Sequence, residues 1–319
     1  MSIPLDVLTY GEAMALFVAD ETGPLESVGH FTKRIAGADL NVAIGLSRLG
    51  FRVGYVSRVG ADAFGRYVTD TLAREGIDAS RVSVDTRHPT GFQLKGKQTD
   101  GRDPAIEYFR KGSAASHLSL DDYDPQYVGA ARHLHLTGVA PAISATSREL
   151  AFCLAESMKA SGKTISFDPN LRPTLWPSRE TMAASLNALA ALSDWVLPGL
   201  GEGLALTGYE TPEDIAQFYL DSGARGVVVK LGAQGAYFRT SDQSGYVAAQ
   251  PVATVVDTVG AGDGFAVGVV SALLEGRDLR TAVVRGNRIG ALAIQAIGDS
   301  EGLPTRAELE RFENSAAAV

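Results

Sequence analysis

The sequence predicts an α/β fold in which a mostly parallel sheet is flanked by helices on both faces, with a small β lid beside it. Three observations predict this. Short apolar runs recur at residues 53–57, 133–136, 164–168, 195–197 and 226–230, as buried parallel strands require. Between them, residues 146–161 and 178–192 carry apolar side chains at helical spacing among good helix formers, which suits crossovers between parallel strands. Two regions, 13–31 and 81–109, depart from that pattern: polar and apolar residues alternate in them, punctuated by Gly or Pro.

In chain order, residues 13–31 read as strands outside the main sheet, and 53–57 as a buried strand of that sheet. Residues 81–109 repeat the first pattern. Antiparallel strands set apart, from about 13–31 and 81–112, would form a lid over the carboxyl ends of the main strands, where doubly wound folds bind ligands. The strand at 133–136 puts His133 and His135 on one face, with no further ligand cluster to complete a metal site. Gly162-Lys163-Thr164, ahead of the strand at 164–168, looks like the end of a P-loop but precedes a strand instead of opening a helix, and position 157 is Ser. The strands at 195–197 and 226–230 complete the sheet. With no Pro/Ser-rich linker, no internal repeat and no low-complexity tract apart from an Ala-rich end, a second independent domain is not expected.

The composition, 45% hydrophobic and 21% charged over 319 residues, is that of a globular chain. A formal net charge of −8 and the lack of a Lys/Arg-dense run argue against a nucleic-acid partner. Cys153 is the single cysteine, so no internal disulfide forms, and its type predicts a core position. No stretch of about 20 apolar residues is present and the first nine lack a secretory pattern. The expectation is a cytoplasmic protein without membrane contact.

The stretch most informative about chemistry is Asp257-Thr258-Val259-Gly260-Ala261-Gly262-Asp263-Gly264-Phe265, followed by a helical segment at 266–274. Small residues let backbone approach a ligand, and the N–H groups of residues 260–263 would sit at a helix N-terminus that favours an anion such as phosphate. A carboxylate at an anion site points to proton chemistry: Asp263 can take the proton of an attacking hydroxyl while the N–H groups of Gly260, Ala261 and Gly262 stabilise the transferring phosphoryl. An Asp here is also a favoured helix N-cap, and that structural reading stays open.

This stretch resembles the carboxyl-terminal signature of the ribokinase-like (PfkB) carbohydrate kinases, and Gly37-Ala38-Asp39-Leu40-Asn41-Val42-Ala43 resembles their amino-terminal one. The resemblance runs from about Asp6 to about Leu309 and implies one ribokinase-like kinase domain over residues 1–319. Within the family, residues 108–116 and 168–176 are similar to the 2-keto-3-deoxygluconate kinases. That resemblance implies transfer from ATP to a sugar acid, with Gly37 and Asn41 meeting sugar hydroxyls, Gln93 on the sugar side, Tyr108 and Arg110 closing over the keto-acid end, and Arg172 between sugar and phosphates. An Arg suits a carboxylate through paired hydrogen bonds; surface ion pairing is the alternative. On the nucleotide side it implies Asn170, Lys230, Gly232, Gly235, Gly260, Gly262 and, near adenine, Asn287. Gly199 and Glu202 occupy the place of an Asn-x-x-Glu element associated with water-held Mg²⁺, so Glu202 is the metal candidate. Gly199 replaces the Asn; Gln93, where some relatives have Tyr, and Ala36, where the first of two glycines is usual, are further departures. The resemblance also allows a monovalent cation such as K⁺ and a homo-oligomer. Other family kinases, acting on 5-keto-2-deoxygluconate, fructose or ribose, and a silent sugar sensor are the alternatives.

Overall fold

The computed structural model describes residues 4–98, 103–252 and 254–316. Strand β1 (Leu5–Tyr10) lies inside a nine-stranded sheet, and the chain then leaves it for β2 (Met14–Thr22) and β3 (Phe31–Ala36) of a separate four-stranded sheet. It returns through α1 (Ala38–Arg48) to β4 (Val53–Gly60), α2 (Ala63–Arg74) and β5 (Asp78–Asp85). A second excursion supplies β6 (Phe92–Lys97) and β7 (Ile106–Phe109). The remainder alternates on the large sheet through α3 (Pro125–Ala130), β8 (Ala131–Thr137), α4 (Ala145–Ala160), β9 (Thr164–Asp168), α5 (Arg179–Leu192) and β10 (Trp195–Val196). There follow α6 (Leu200–Thr207), α7 (Pro212–Asp221), β11 (Gly226–Lys230), the hairpin β12 (Ala236–Thr240) and β13 (Ser244–Val247), and α8 (Ala261–Leu274), α9 (Leu279–Ala293) and α10 (Arg306–Ala316).

The large sheet runs β13-β12-β11-β10-β9-β8-β1-β4-β5, parallel from β11 to β5 and antiparallel only at the β12–β13 edge. Successive residues face opposite ways, so Leu8, Leu134 and Ile165 join a core with α4, α5 and α7, while Val7 and Val53 join one with α1, α8 and α9. The helices begin where the sequence supplies caps. Ser144 and Ser178 accept backbone N–H bonds at the starts of α4 and α5, and Thr211 caps α7 ahead of Pro212.

The structure corrects four details. Residues 81–85, expected in the lid, belong to β5, which pairs parallel with β4 at the edge of the large sheet. An edge strand leaves one face to water, with Val84 59% exposed, and so shows the same alternation as a strand of the small sheet. The small sheet is not wholly antiparallel: in the order β3-β2-β6-β7, β2 and β6 run parallel because each opens a separate excursion from the large sheet. Its first excursion continues past residue 31, as β3 ends at Ala36. Cys153 is half-buried on α4 rather than in the core.

Candidate active site

The parallel strands deliver their last residues to one end of the sheet. Glu12 follows β1, Thr137 ends β8, Asp168 ends β9 and Lys230 ends β11. A cavity of about 430 Å³ opens there, between that end, the start of α8 and the small sheet. It is where a doubly wound sheet presents ligand-binding groups.

Gly260 precedes α8 in a left-handed conformation (φ 86°), and a Cβ there would lie 2.4 Å from the Asp299 carbonyl oxygen. Only glycine fits this turn. Ala261, Gly262 and Asp263 are the first three helical residues, whose N–H groups have no carbonyl a turn earlier to bond. Asp263 is therefore not the N-cap. Its carboxylate accepts from Asn41 Nδ2 at 2.7 Å and Asn170 Nδ2 at 3.2 Å, which hold it at the cavity wall. Burial raises its pKa to about 7, with Asp168 and Asp299 adding to the rise and the Asn41 bond and Arg172 opposing it. Asp39, buried beneath Thr137 and bonded to its N–H and hydroxyl, is likewise raised by burial to about 7.

Asn170 is the one described non-glycine residue with positive φ, at 37°. Asn tolerates this region, and it turns the chain so that the side chain meets Asp263 while the backbone N–H caps Asp168 at 3.2 Å. Lys230 Nζ binds Asp168 at 2.6 Å and lies 3.9 Å from Glu202. Burial opposes the lysine charge, but the two carboxylates outweigh it and raise the Lys230 pKa. Burial also raises Asp168 to about 6. Glu202 accepts from the N–H groups of Gly199 at 2.6 Å and Leu171 at 2.9 Å, so it closes the start of α6 as well as facing the cavity.

On the other wall, Gln93 and Tyr108 are register partners on β6 and β7, and Arg110 follows β7. Arg110 is buried, and its Nη2 lies 2.5 Å from Glu12 Oε2 without the alignment of a hydrogen bond. Glu12 also accepts from the Ser113 hydroxyl at 2.5 Å. Arg110 Nε and Asn41 Oδ1 are buried with no protein hydrogen-bond partner, so polar groups on this side are left for a ligand. Arg172 donates to the Leu171 carbonyl at 2.9 Å and forms no ion pair among the described residues. It is a cation facing the cavity without a carboxylate of its own. Gly37, the residue before α1, has φ 147°, and a Cβ there would meet the Glu12 carbonyl at 2.5 Å.

Thus Gly37, Asn41, Gln93, Tyr108, Arg110, Asn170, Arg172, Glu202, Lys230 and Gly260 to Asp263 line one cavity. Four expected residues stand outside its lining. Gly199 bridges to Lys230 behind Glu202; Gly232 and Gly235 form the turn between β11 and β12; Asn287 on α9 donates to the carbonyls of Val247 and Ala248. Sequence reasoning passed over Glu12, Asp39, Asp168 and Asp299. Asp39 and Asp168 sit inside stretches already singled out, whereas Glu12 and Asp299 carry no local signal beyond following a strand and a helix.

A profile of the pfkB family carbohydrate kinases matches residues 5–306. The 2-dehydro-3-deoxygluconokinase of Bacillus subtilis (strain 168) is 50% identical over 316 residues, 99% of this chain and 97% of its own. A crystal structure of a PfkB protein from Polaromonas sp. JS666 shares 56% identity at a TM-score of 0.89, covering 96% of this chain and 99% of that one. A putative ribokinase II from E. coli, crystallised with ATP and Mg²⁺, shares 30% identity at a TM-score of 0.90, covering 98% and 99%. The signatures around Asn41 and Asp263 meet in the fold as well as in the sequence, and the chain belongs to the pfkB family of carbohydrate kinases.

Proposed function

We propose that this sugar kinase transfers the γ-phosphoryl of ATP to the 6-hydroxyl of 2-keto-3-deoxygluconate by direct in-line displacement. The observation that carries the reading is Asp263: a buried carboxylate of raised pKa, gripped by two asparagines, at a helix start whose N–H groups are unpaired. Half ionised near neutral pH, it accepts the hydroxyl proton as the oxygen attacks phosphorus and the bond to the ADP oxygen breaks. The N–H groups of Ala261 to Asp263 and the side chains of Arg172 and Lys230 take up charge on the transferring group. Mg²⁺ arriving with ATP would offset phosphate charge, held through water by Asp168 and Glu202, whose oxygens already serve Lys230 and backbone N–H groups. The turn at Gly232 and Gly235, Gly199 and Asn287 are assigned to the nucleotide side.

The sugar acid is favoured over a neutral sugar by Arg110, buried with an unsatisfied Nε beside Gln93 and Tyr108, and by the 50% identical Bacillus relative. Glu12 already offsets part of the Arg110 charge, so a substrate carboxylate would share the guanidinium with Glu12 and draw on Arg172 as well. A coupled ADP-release assay tests the reading across 2-keto-3-deoxygluconate, 5-keto-2-deoxygluconate, fructose and ribose. The first should lead in kcat/KM by about 10-fold or more, the effect of one charge-assisted contact. Equal turnover of a neutral sugar would remove the sugar-acid assignment, and no turnover with any of them would favour a sensor.

A further inference from the structure

One charged group beneath the phosphoryl turn has no part in the reaction as described. Lys95, on β6 of the small sheet, is 1% exposed, and its Nζ lies 2.5 Å from Asp257 Oδ2 and 2.9 Å from Asp299 Oδ1. Both carboxylates belong to segments that build the turn. Asp257 begins the run that leads to Gly260 and accepts from the N–H groups of Val259 at 3.1 Å and Gly298 at 3.3 Å. The Asp299 backbone is what Gly260 packs against, closely enough to exclude a Cβ. Lys95 thus ties together two stretches of backbone that also meet through the Gly298 N–H bond to Asp257 and the packing of Gly260 on Asp299.

A pair of buried carboxylates side by side is costly unless a cation lies between them. Burial works against the charge on Lys95, yet Asp299 and Asp257 outweigh it and raise its pKa, so the ammonium is retained. The lysine is delivered by the sheet that also delivers Gln93, two residues earlier and on the same face of β6, to the sugar side of the cavity. The monovalent cation that the resemblance allowed for does not fit at this pair, because the position is filled.

We propose that the Lys95 ammonium is the built-in cation of the phosphoryl turn, a positioning residue that fixes residues 257–260 against 298–299 and frees the enzyme from any need for an added monovalent cation. The inference rests on the proposed role of that turn in phosphoryl transfer.

The test compares wild-type protein and Lys95→Ala in tetramethylammonium buffer, with and without K⁺, ammonium or ethylamine. Wild-type kcat should be unchanged by these cations to within about 2-fold. Lys95→Ala should lose about 100-fold in kcat, the scale of a misplaced reacting geometry, with a smaller change in sugar KM. K⁺, ammonium or ethylamine should restore about 5-fold or more of that loss and raise the Tm of Lys95→Ala without moving that of the wild type. Lys95→Met, which fills the space with an apolar chain, should be rescued by none of them. A wild type stimulated severalfold by K⁺, a Lys95→Ala variant with normal kcat, or one whose rate and Tm ignore all three cations would each overturn the proposal. If Lys95→Ala does not fold, the cation response of the wild type decides. A wild type inactive on every sugar and sugar acid would count against the proposed function, and the Tm comparison would still decide the role of Lys95.

Discussion

Asp263 and Asp39 in the cavity wall, and Asp168 behind Lys230, are three buried carboxyl groups whose pKa values are raised by burial to about 7, 7 and 6. For Asp263 this sets both rate and stability. The free enzyme should show kcat/KM rising with pH through an apparent value near 7, measured as a pH–rate profile, because only the ionised carboxylate accepts a proton. The stability effect has the opposite sign. The folded state keeps a proton that the unfolded chain releases above its ordinary value of 3.8, so this group's contribution falls as pH rises from about 4 to 7. Asp263→Asn, which cannot ionise, should therefore gain a few degrees in Tm over the wild type at pH 8, with the gain shrinking toward pH 4 in thermal melts. At the other wall, Arg110→Met should raise the Kd for the sugar acid by about 10- to 150-fold, equivalent to about 1.5–3 kcal/mol, and change neutral-sugar binding far less in calorimetric titration. Asp263 was legible from the glycines around it, whereas Asn170 came only from the family resemblance. That Asn41 belongs to the same site came from the family signatures; its bond to Asp263, 222 residues away, came from the structure.

The element that carries the chemistry is the start of α8, and its two glycines are not equivalent. Gly260 needs its left-handed backbone and has no room for a Cβ, whereas a Cβ on Gly262 would meet nothing closer than Lys230 Nζ at 3.7 Å. Gly260→Ala should lower kcat by about 100-fold or more, and also destabilise the fold, while Gly262→Ala folds with near-normal Tm and loses less activity; steady-state kinetics beside thermal melts separates the two. At this scale the parallel strands β4, β8, β9, β10 and β11 and the capped helices α4 and α5 were readable from apolar runs and helical spacing, while the central strand β1 was passed over. The edge strand β5 was not, because half-exposure gives it the alternation of a strand in the small sheet. Asn287, placed near adenine by the family resemblance, also donates its amide to the carbonyls of Val247 and Ala248 at the end of β13, a contact that no local signal announced.

Across the whole molecule, two sheets are joined at one working face. The large sheet brings Asp168 and Lys230 from its strand ends, and the small sheet brings Gln93 and Tyr108 to the cavity and Lys95 to Asp257 and Asp299 beneath the turn. Phe17 on β2 and Phe92 on β6 pack on Phe64 of α2, which anchors the small sheet to the large one beside the cavity. That a small sheet exists was legible from period-2 alternation; how its strands pair was not, since pairing between β2 and β6 depends on two separate excursions of the chain. The central claim is that the acid group at the start of α8 deprotonates the sugar while the same turn steadies the phosphoryl. Single-turnover quench of Asp263→Asn with ATP and 2-keto-3-deoxygluconate tests it most directly, alongside nucleotide affinity. The account predicts a chemical step slowed by about 10²–10⁴ with ATP affinity within about 3-fold of wild type; a chemical step at the wild-type rate in that variant would contradict it.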